Sequence, residues 1–479
     1  MTSRTIHAFD DELAGFDAVA TADAIAAGSL TPLEVTEAAI RRSEQVESEI
    51  AAIIVDDHER ALDAARRLGR RGGLAGVPTY IKDMVDVAGL PTTWGSEAIA
   101  GGPDKKRTTG IAAQFEDMGM VLLGKSTLPE FGFVPSTEPV HRPATRNPWN
   151  LDRTVGGSSG GAAALVAAGV VPIAHAADGG GSIRIPAACC GLVGLKATRW
   201  RLLPHREEQM LPIAVTVDGV VSRTVRDTVR WFAEAEQRYR RRGMPRIALV
   251  ERPPARRLRV GAFIDLPDGL PVDAPIDDAT LTTFDETASL LESLGHAVVP
   301  IAAPVDASFG DDFVSYWQLL AFLATKTAPL THGRHVRGEL FVDFTKGLVE
   351  GFQRDRGRVV PAIRRLRRTP DVMADLFRDV DVLLSPVTTT VAPPLGQMAG
   401  SVGHDDMLPR LIGWMPFTPL ANAAGTPAIS LPLGHDVETN LPVGMMLSAA
   451  HGNDGLLLEL ALELEAARPW RTVAGATVS

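Results

Sequence analysis

Three polar side chains sit where this chain is otherwise apolar or glycine-rich. Lys82 closes the run "GVPTYIKD" (76–83), Ser158 lies inside "GGSSGG" (156–161), and Ser182 follows three glycines in "HAADGGGSIRIP" (175–186). A glycine cluster directly after an apolar run costs backbone entropy. It marks either a tight turn leaving a strand or a close approach of the backbone to something. The chemical form of the second reading is a cradle of N–H groups around a developing negative charge, with Ser182 as the attacking group. Each of the three residues is uninformative alone. Together they supply a nucleophile, an N–H cradle and a base that reaches the nucleophile through a second hydroxyl, which is what amide hydrolysis needs without histidine. Lys82 as an ordinary surface lysine is the plain alternative. Its apolar neighbours favour a strand end over a helix face.

Two other patterns compete. "GMVLLGKS" (119–126) has the spacing of a phosphate-binding loop, but Met120, Val121, Leu122 and Leu123 are the residues of a buried strand, not of an open loop around phosphate. "GSSGG" from Gly157 to Gly161 fits G-x-S-x-G, which would make Ser159 the nucleophile of an elbow-type esterase. That mechanism wants a preceding strand and a later histidine. The segment "RNPWNLDRTV" (146–155) reads as turn-rich, and nothing around His404, His435 or His451 singles one of them out.

The elements that position these residues read as an α/β fold. "TPLE" (31–34) is a capping box with Thr31 as N-cap, Pro32 at the first helical position and Glu34 at N3. "AAIIV" (51–55) reads as a strand and 56–68 as an amphipathic helix. Between about 72 and 200, short apolar runs alternate with helical stretches and glycine turns, which predicts a largely buried sheet. Residues 236–260 read as a surface connection and 310–370 as mainly helical. Strands return at 381–386, 427–434 and 441–447. No repeat or low-complexity linker breaks the chain, so a single large domain with a mixed central sheet covered by helices is expected. In that domain, helices occupy 1–70, the glycine- and serine-rich core spans 72–200, a variable region runs from 205 to 415, and 416–470 returns to the core.

With 479 residues, 45% hydrophobic and 22% charged, the chain is a folded globular protein. A net charge of −10 argues against a nucleic-acid partner. The arginine runs "RYRRRGMPR" (238–246) and "RRLRR" (364–368) read as solvated faces. Cys189 and Cys190 are adjacent, so they offer neither a disulfide framework nor a metal spacing, and they read as small buried residues. No secretory signal and no apolar run of membrane-spanning length is evident, which makes cytoplasmic localisation the expectation.

The linked blocks resemble the amidase signature family. "GGSSGGAAALVAAG" (156–169) runs on to "DGGGSIRIPAACCGLVGLK" (178–196), with Ser182 following Ser158 by 24 positions. "GVPTYIKD", "GKSTLPEFGF" (124–133), "TPLANAAGTPAISLPLG" (418–434) and "LPVGMMLSAAHGNDGLLLELALELE" (441–465) extend the resemblance over most of the chain. It implies a Ser–cisSer–Lys triad: Ser182 as nucleophile, Ser158 as bridging serine after an unusual cis bond, and Lys82 as base. It further implies an oxyanion hole from the N–H groups of Gly179, Gly180, Gly181 and Ser182. Asp178, Arg184 and Ser159 fall at supporting hydrogen-bond positions, and no cofactor or metal is implied.

A free lysine, with a pKa of about 10.4, is neutral only about 0.04% of the time at pH 7. Acting as a base, Lys82 is therefore expected to be buried, with no carboxylate close enough to hold its proton. The sequence departs from the family pattern at Ala197 and Trp200, and at Ala177 and Gly179, where threonines are common and support around the hole is expected to be looser. Ile185 replaces the glutamine usual in subunits that pass ammonia to a transamidation partner. These features favour a free-standing hydrolase of apolar or aryl amides, or of carbamates, resembling the members that act on nylon oligomers and aryl amides. A glutaminase-type subunit is the main alternative. Trp200, Trp317, Trp414 and Phe417 are candidate pocket walls, and a homodimer is the expected assembly.

Overall fold

The computed structural model describes residues 4–68, 73–203, 208–247, 250–266 and 275–475. Parts of the variable region, 204–207 and 267–274 among them, therefore lie outside the described residues. A single α/β domain is built on an eight-stranded mixed sheet. Its strands lie in the order Ala297–Pro300, Arg259–Ala262, Val382–Pro386, Leu441–Ala449, Ala428–Asp436, Val193–Lys196, Val217–Ser222 and Ile173–Asp178. The first three run parallel and the remaining neighbours pair antiparallel. A second, three-stranded sheet holds Ile53–Asp56, Val121–Ser126 and Pro78–Lys82. The "GMVLLGKS" segment is thus a buried strand, and its Lys125 pairs with Asp83 in the interior.

The two sheets meet at the site. Ile173–Asp178 is an edge strand, and edges left bare invite pairing with other chains. Here Pro78–Lys82 lies along it, joined by side chains: Thr79 Oγ1 donates to the Ile173 carbonyl (3.0 Å), and the Lys82 N–H donates to His175 Nδ1 (3.2 Å). That seam brings Lys82, the last residue of its strand, beside the glycine turn that ends the other strand.

The N-terminal helices Ala18–Ala27 and Pro32–Ile50 form as the sequence indicates, with both halves of the Thr31/Glu34 capping box made. Gly160–Ala167, apolar on every side, is a wholly buried helix. Helices Ser308–Thr331, Asp343–Arg354, Arg356–Leu366 and Thr369–Leu376 fill the variable region. One local expectation fails. The stretch before the paired serines is a hairpin, Arg146–Asn147 with Asn150–Thr154, because Asn147 organises the turn by accepting from the Trp149 N–H (3.1 Å) and donating to Thr154 O (3.0 Å). Cys189 and Cys190 are free and buried. No helix among the described residues is long and apolar enough to cross a membrane.

Candidate active site

Lys82 is 1% exposed, and its ammonium group meets only neutral oxygens. Nζ lies 2.7 Å from Ser158 Oγ, 2.9 Å from Ser159 Oγ and 3.3 Å from the Ala177 carbonyl. Burial pushes its pKa down to about 7, against a smaller upward pull from the charges of Asp178 and Asp218. Neither carboxylate forms an ion pair with it: Asp178 is paired with Arg184, and Asp218 with His175. The peptide bond Gly157–Ser158 is cis. Ser159, entirely buried, also accepts from the Ala177 N–H (3.2 Å) and contacts the Ala177 carbonyl (3.2 Å). A hydroxyl held in this way is a brace between strand and helix, whatever strand precedes it, and it is absent from the wall of the cavity that Ser158 and Ser182 share.

That cavity, of about 120 Å³, is lined by Lys82, Ser158, Gly179, Gly180 and Ser182 on the polar side, and by Phe131, Phe133, Tyr316, Trp317 and Met415 among others on the apolar side. Ser182, half-buried, stands at the entrance to helix Arg184–Cys190.

The shape of the glycine turn is set by one buried charge cluster. Asp178 Oδ1 accepts from the Gly181 N–H (2.7 Å), Arg184 Nη2 (2.9 Å) and Asn422 Nδ2 (2.9 Å), while Oδ2 accepts from Arg184 Nε (2.9 Å) and the Ile183 N–H (3.2 Å). Burial works against charge on Asp178, yet the Arg184 guanidinium holds its carboxyl well below the usual carboxylate range. Arg184 continues to Thr418 O (2.8 Å) and Asn422 Oδ1 (2.6 Å), and Thr418 Oγ1 donates to Gly180 O (2.6 Å).

Two observations bear on the sequence-based picture. The Gly181 N–H already donates to Asp178 Oδ1 within the turn. Of the three glycines only Gly181 has a left-handed backbone, φ 136°, and a Cβ there would meet Thr418 Oγ1 at 2.4 Å. Support around the turn is also not loose: Thr418 and Asn422, from a helix 240 positions away in sequence, replace the local threonines.

Among the aromatic candidates, Trp317 lines the cavity. Phe417 lines an adjoining apolar cavity, of about 70 Å³, which shares Phe313, Trp317 and Met415 with the first. Trp414 is packed in the core with Nε1 on Thr390 O, and Trp200 sits under Arg241. His175, Thr418 and Asn422 were not singled out by the sequence. Asn422 lies inside the quoted "TPLANAAG" block, and a polar residue on an otherwise apolar helix was the available signal.

An interior lysine held by serine hydroxyls lies beside a glycine turn at the seam of two sheets, and comparison with known proteins shows the class of protein that carries it. The Amidase family matches residues 34–458, and the chain belongs to the amidase signature family. It is 44% identical over 474 residues, 98% of each chain, to the Mycobacterium tuberculosis protein named "Putative amidase AmiC". The solved structure of 6-aminohexanoate cyclic dimer hydrolase with its substrate superposes with a TM-score of 0.86 at 30% identity, covering 97% of this chain and 98% of that one. A bacterial aryl acylamidase superposes with a TM-score of 0.84 at 25% identity, covering 95% and 97%.

Proposed function

We propose that this amidase cleaves its substrate through a covalent Ser182 ester. The observation that carries the reading is Lys82: buried, 2.7 Å from Ser158 Oγ, without a carboxylate partner, and on the wall of the cavity that Ser182 also lines. Neutral Lys82 takes the Ser158 proton while Ser158 takes that of Ser182, and Ser182 Oγ bonds to the amide carbon. The carbonyl oxygen gains the negative charge and faces the N–H groups of Gly179, Gly180 and Ser182. The C–N bond then breaks as the proton returns through Ser158 to the leaving nitrogen, giving an amine and the serine ester. Water repeats the sequence on the ester, releasing a carboxylic acid and restoring Ser182.

The aromatic wall from Phe131 to Met415 supports apolar or aryl amides as substrates, and a carbamate presents the same carbonyl to the same donors. Ile185, on the wall of this cavity, supports a hydrolase acting without a transamidation partner. The test is release of nitroaniline from a nitroanilide, and of nitrophenol from the matching carbamate, by the purified chain and its Lys82→Ala, Ser158→Ala, Ser159→Ala and Ser182→Ala variants. Mass spectrometry of quenched turnover reads the acyl adduct. The expected result is an adduct on the Ser182 peptide and loss of turnover by orders of magnitude in Lys82→Ala, Ser158→Ala and Ser182→Ala. An active Ser182→Ala with an inactive Ser159→Ala would transfer the role to the elbow. A silent wild type that awakens only with a second protein would favour the glutaminase subunit.

A further inference from the structure

Lys82 is held at both ends. Its ammonium meets the serine hydroxyls, and its backbone N–H meets a side chain of the other sheet, His175, with Nδ1 at 3.2 Å. Successive N–H groups of a strand point to opposite sides. The Asp83 N–H turns back to Ser126 O (3.2 Å) in the smaller sheet, so the Lys82 N–H faces the edge strand Ile173–Asp178, where His175 receives it. The other side-chain contact across this seam, Thr79 Oγ1 on Ile173 O, lies three residues back along the strand. His175 acts at the end that carries the base.

The histidine is wholly buried, its ring edge-on to Phe115 with centroids 5.8 Å apart, and Nε2 lies 3.1 Å from Asp218 Oδ1. These two contacts fix its protonation. A ring nitrogen that accepts from a backbone N–H carries no proton of its own, so the proton sits on Nε2 and is donated to the carboxylate. An imidazolium would set its Nδ1–H against the Lys82 N–H, donor against donor.

We propose that His175 is the positioning residue of Lys82: kept in its neutral Nε2–H form by the Asp218 carboxylate, it clamps the strand end against the edge strand so that Nζ reaches Ser158. The inference rests on Lys82 being the base, and it has an electrostatic corollary. A neutral imidazole does not cancel the Asp218 charge. The charges that bear on Lys82 are Asp178, matched by Arg184, and Asp218, while Asp83, next along the strand, is matched by Lys125. Removing the Asp218 charge must therefore make Lys82 release its proton more readily. Were His175 an imidazolium, the same substitution would discharge both partners together and leave Lys82 nearly as before.

The test is the pH profile of nitroanilide hydrolysis by the full chain, with Lys82→Ala run alongside. Asp218→Asn, which still offers an acceptor to Nε2–H, is expected to move the acid limb of kcat/KM down by about half a pH unit or more. His175→Leu combined with Asp218→Leu removes the clamp without orphaning a buried charge. That double variant is expected to lower kcat about tenfold or more, with KM within about threefold of wild type. His175→Asn sets an amide oxygen where Nδ1 stands and is expected to regain most of that loss. Thr79→Val removes the other seam contact and is expected to lower the melting temperature while leaving kcat within about twofold. An unmoved limb in folded Asp218→Asn overturns the proposal. So does a wild-type kcat in the folded double variant, a His175→Asn as slow as the double variant, or an equal loss in Thr79→Val. Should one variant fail to fold, the others decide, because the limb and kcat are separate readouts. An active Lys82→Ala removes the base and this proposal with it; a silent Lys82→Ala beside an unmoved limb removes this proposal alone.

Discussion

Replacing Lys82 by methionine should destroy activity and yet stabilise the protein at neutral pH. An unfolded lysine titrates near 10.4, whereas burial brings folded Lys82 to about 7. At about 1.4 kcal/mol per unit, the fold carries a penalty of about 5 kcal/mol for holding this group at any pH below 7, where both states are protonated. Methionine has a similar length and no charge, so Lys82→Met removes that penalty. It also removes the contacts to Ser158 and Ser159, worth about 1 kcal/mol each. The net gain is about 3 kcal/mol at pH 6.5.

Between 7 and 10.4 the unfolded chain binds more protons than the folded one. Wild-type stability therefore rises with pH by about 1.4 kcal/mol per unit, and the advantage of the variant shrinks at the same rate. The two proteins should be equally stable near pH 9, and above that the wild type should lead. Urea unfolding followed by circular dichroism at pH 6.5, 8 and 9.5 reads the gap directly. A gap that stays constant across this range would mean that Lys82 titrates alike in both states, and the argument for a neutral base would collapse.

Other outcomes follow from the same geometry. Turnover, as kcat/KM on an uncharged amide, should rise with pH along a single limb centred at about 7 and level off above it, because only neutral Lys82 accepts a proton; a flat profile, or a limb near pH 10, rejects the assignment. Lys196, also wholly buried and pushed down to about 7 by burial, donates among the described residues only to the Ala197 carbonyl (2.9 Å). Lys196→Met should therefore show a similar pH-dependent stabilisation while keeping turnover within about tenfold of wild type. Gly181→Ala forces a Cβ to within 2.4 Å of Thr418 Oγ1 at φ 136° and should cost roughly 100-fold in kcat by displacing the N–H donors. Gly180→Ala meets nothing nearer than the Phe313 ring at 3.6 Å; it should fold normally and change KM more than kcat.

What could be read from the sequence was what is local. Lys82 at a strand end, the capping box at Thr31, the buried strand in "GMVLLGKS" and the turn after Asp178 each follow from a few adjacent residues, and each is found. The hairpin before Ser158 was missed because its turn depends on Asn147 bonding the Trp149 N–H in the turn and the Thr154 carbonyl on the second strand, a pattern that resembles an irregular loop in one dimension. Thr418 and Asn422 were missed for a different reason. Their partners, Gly180 and Asp178, lie more than 230 positions away, and no periodicity records a contact of that kind. The order of the sheet strands, which makes Ile173–Asp178 an edge and so opens a place for Lys82, is equally non-local.

The site sets two opposite electrostatic demands within one low-dielectric interior: Asp178 must stay charged and Lys82 must not. Asp178 is the largest charge opposing neutrality at Lys82, and an uncompensated carboxylate there would hold the proton that the proposed base must lose. Arg184 resolves the conflict. Its fork takes both Asp178 oxygens, so the pair is close to neutral when viewed from Lys82, while the carboxylate still accepts from the Gly181 and Ile183 N–H groups and fixes the turn. Asn422 and Thr418 satisfy the remaining valences of the pair and tie it to the helix Pro419–Ala424, which Thr418 precedes. The arginine thus acts on the proposed base without touching it. The "GGGSIR" block therefore works as one unit, the glycines giving the backbone its path and the Asp178–Arg184 pair deciding where that path is held.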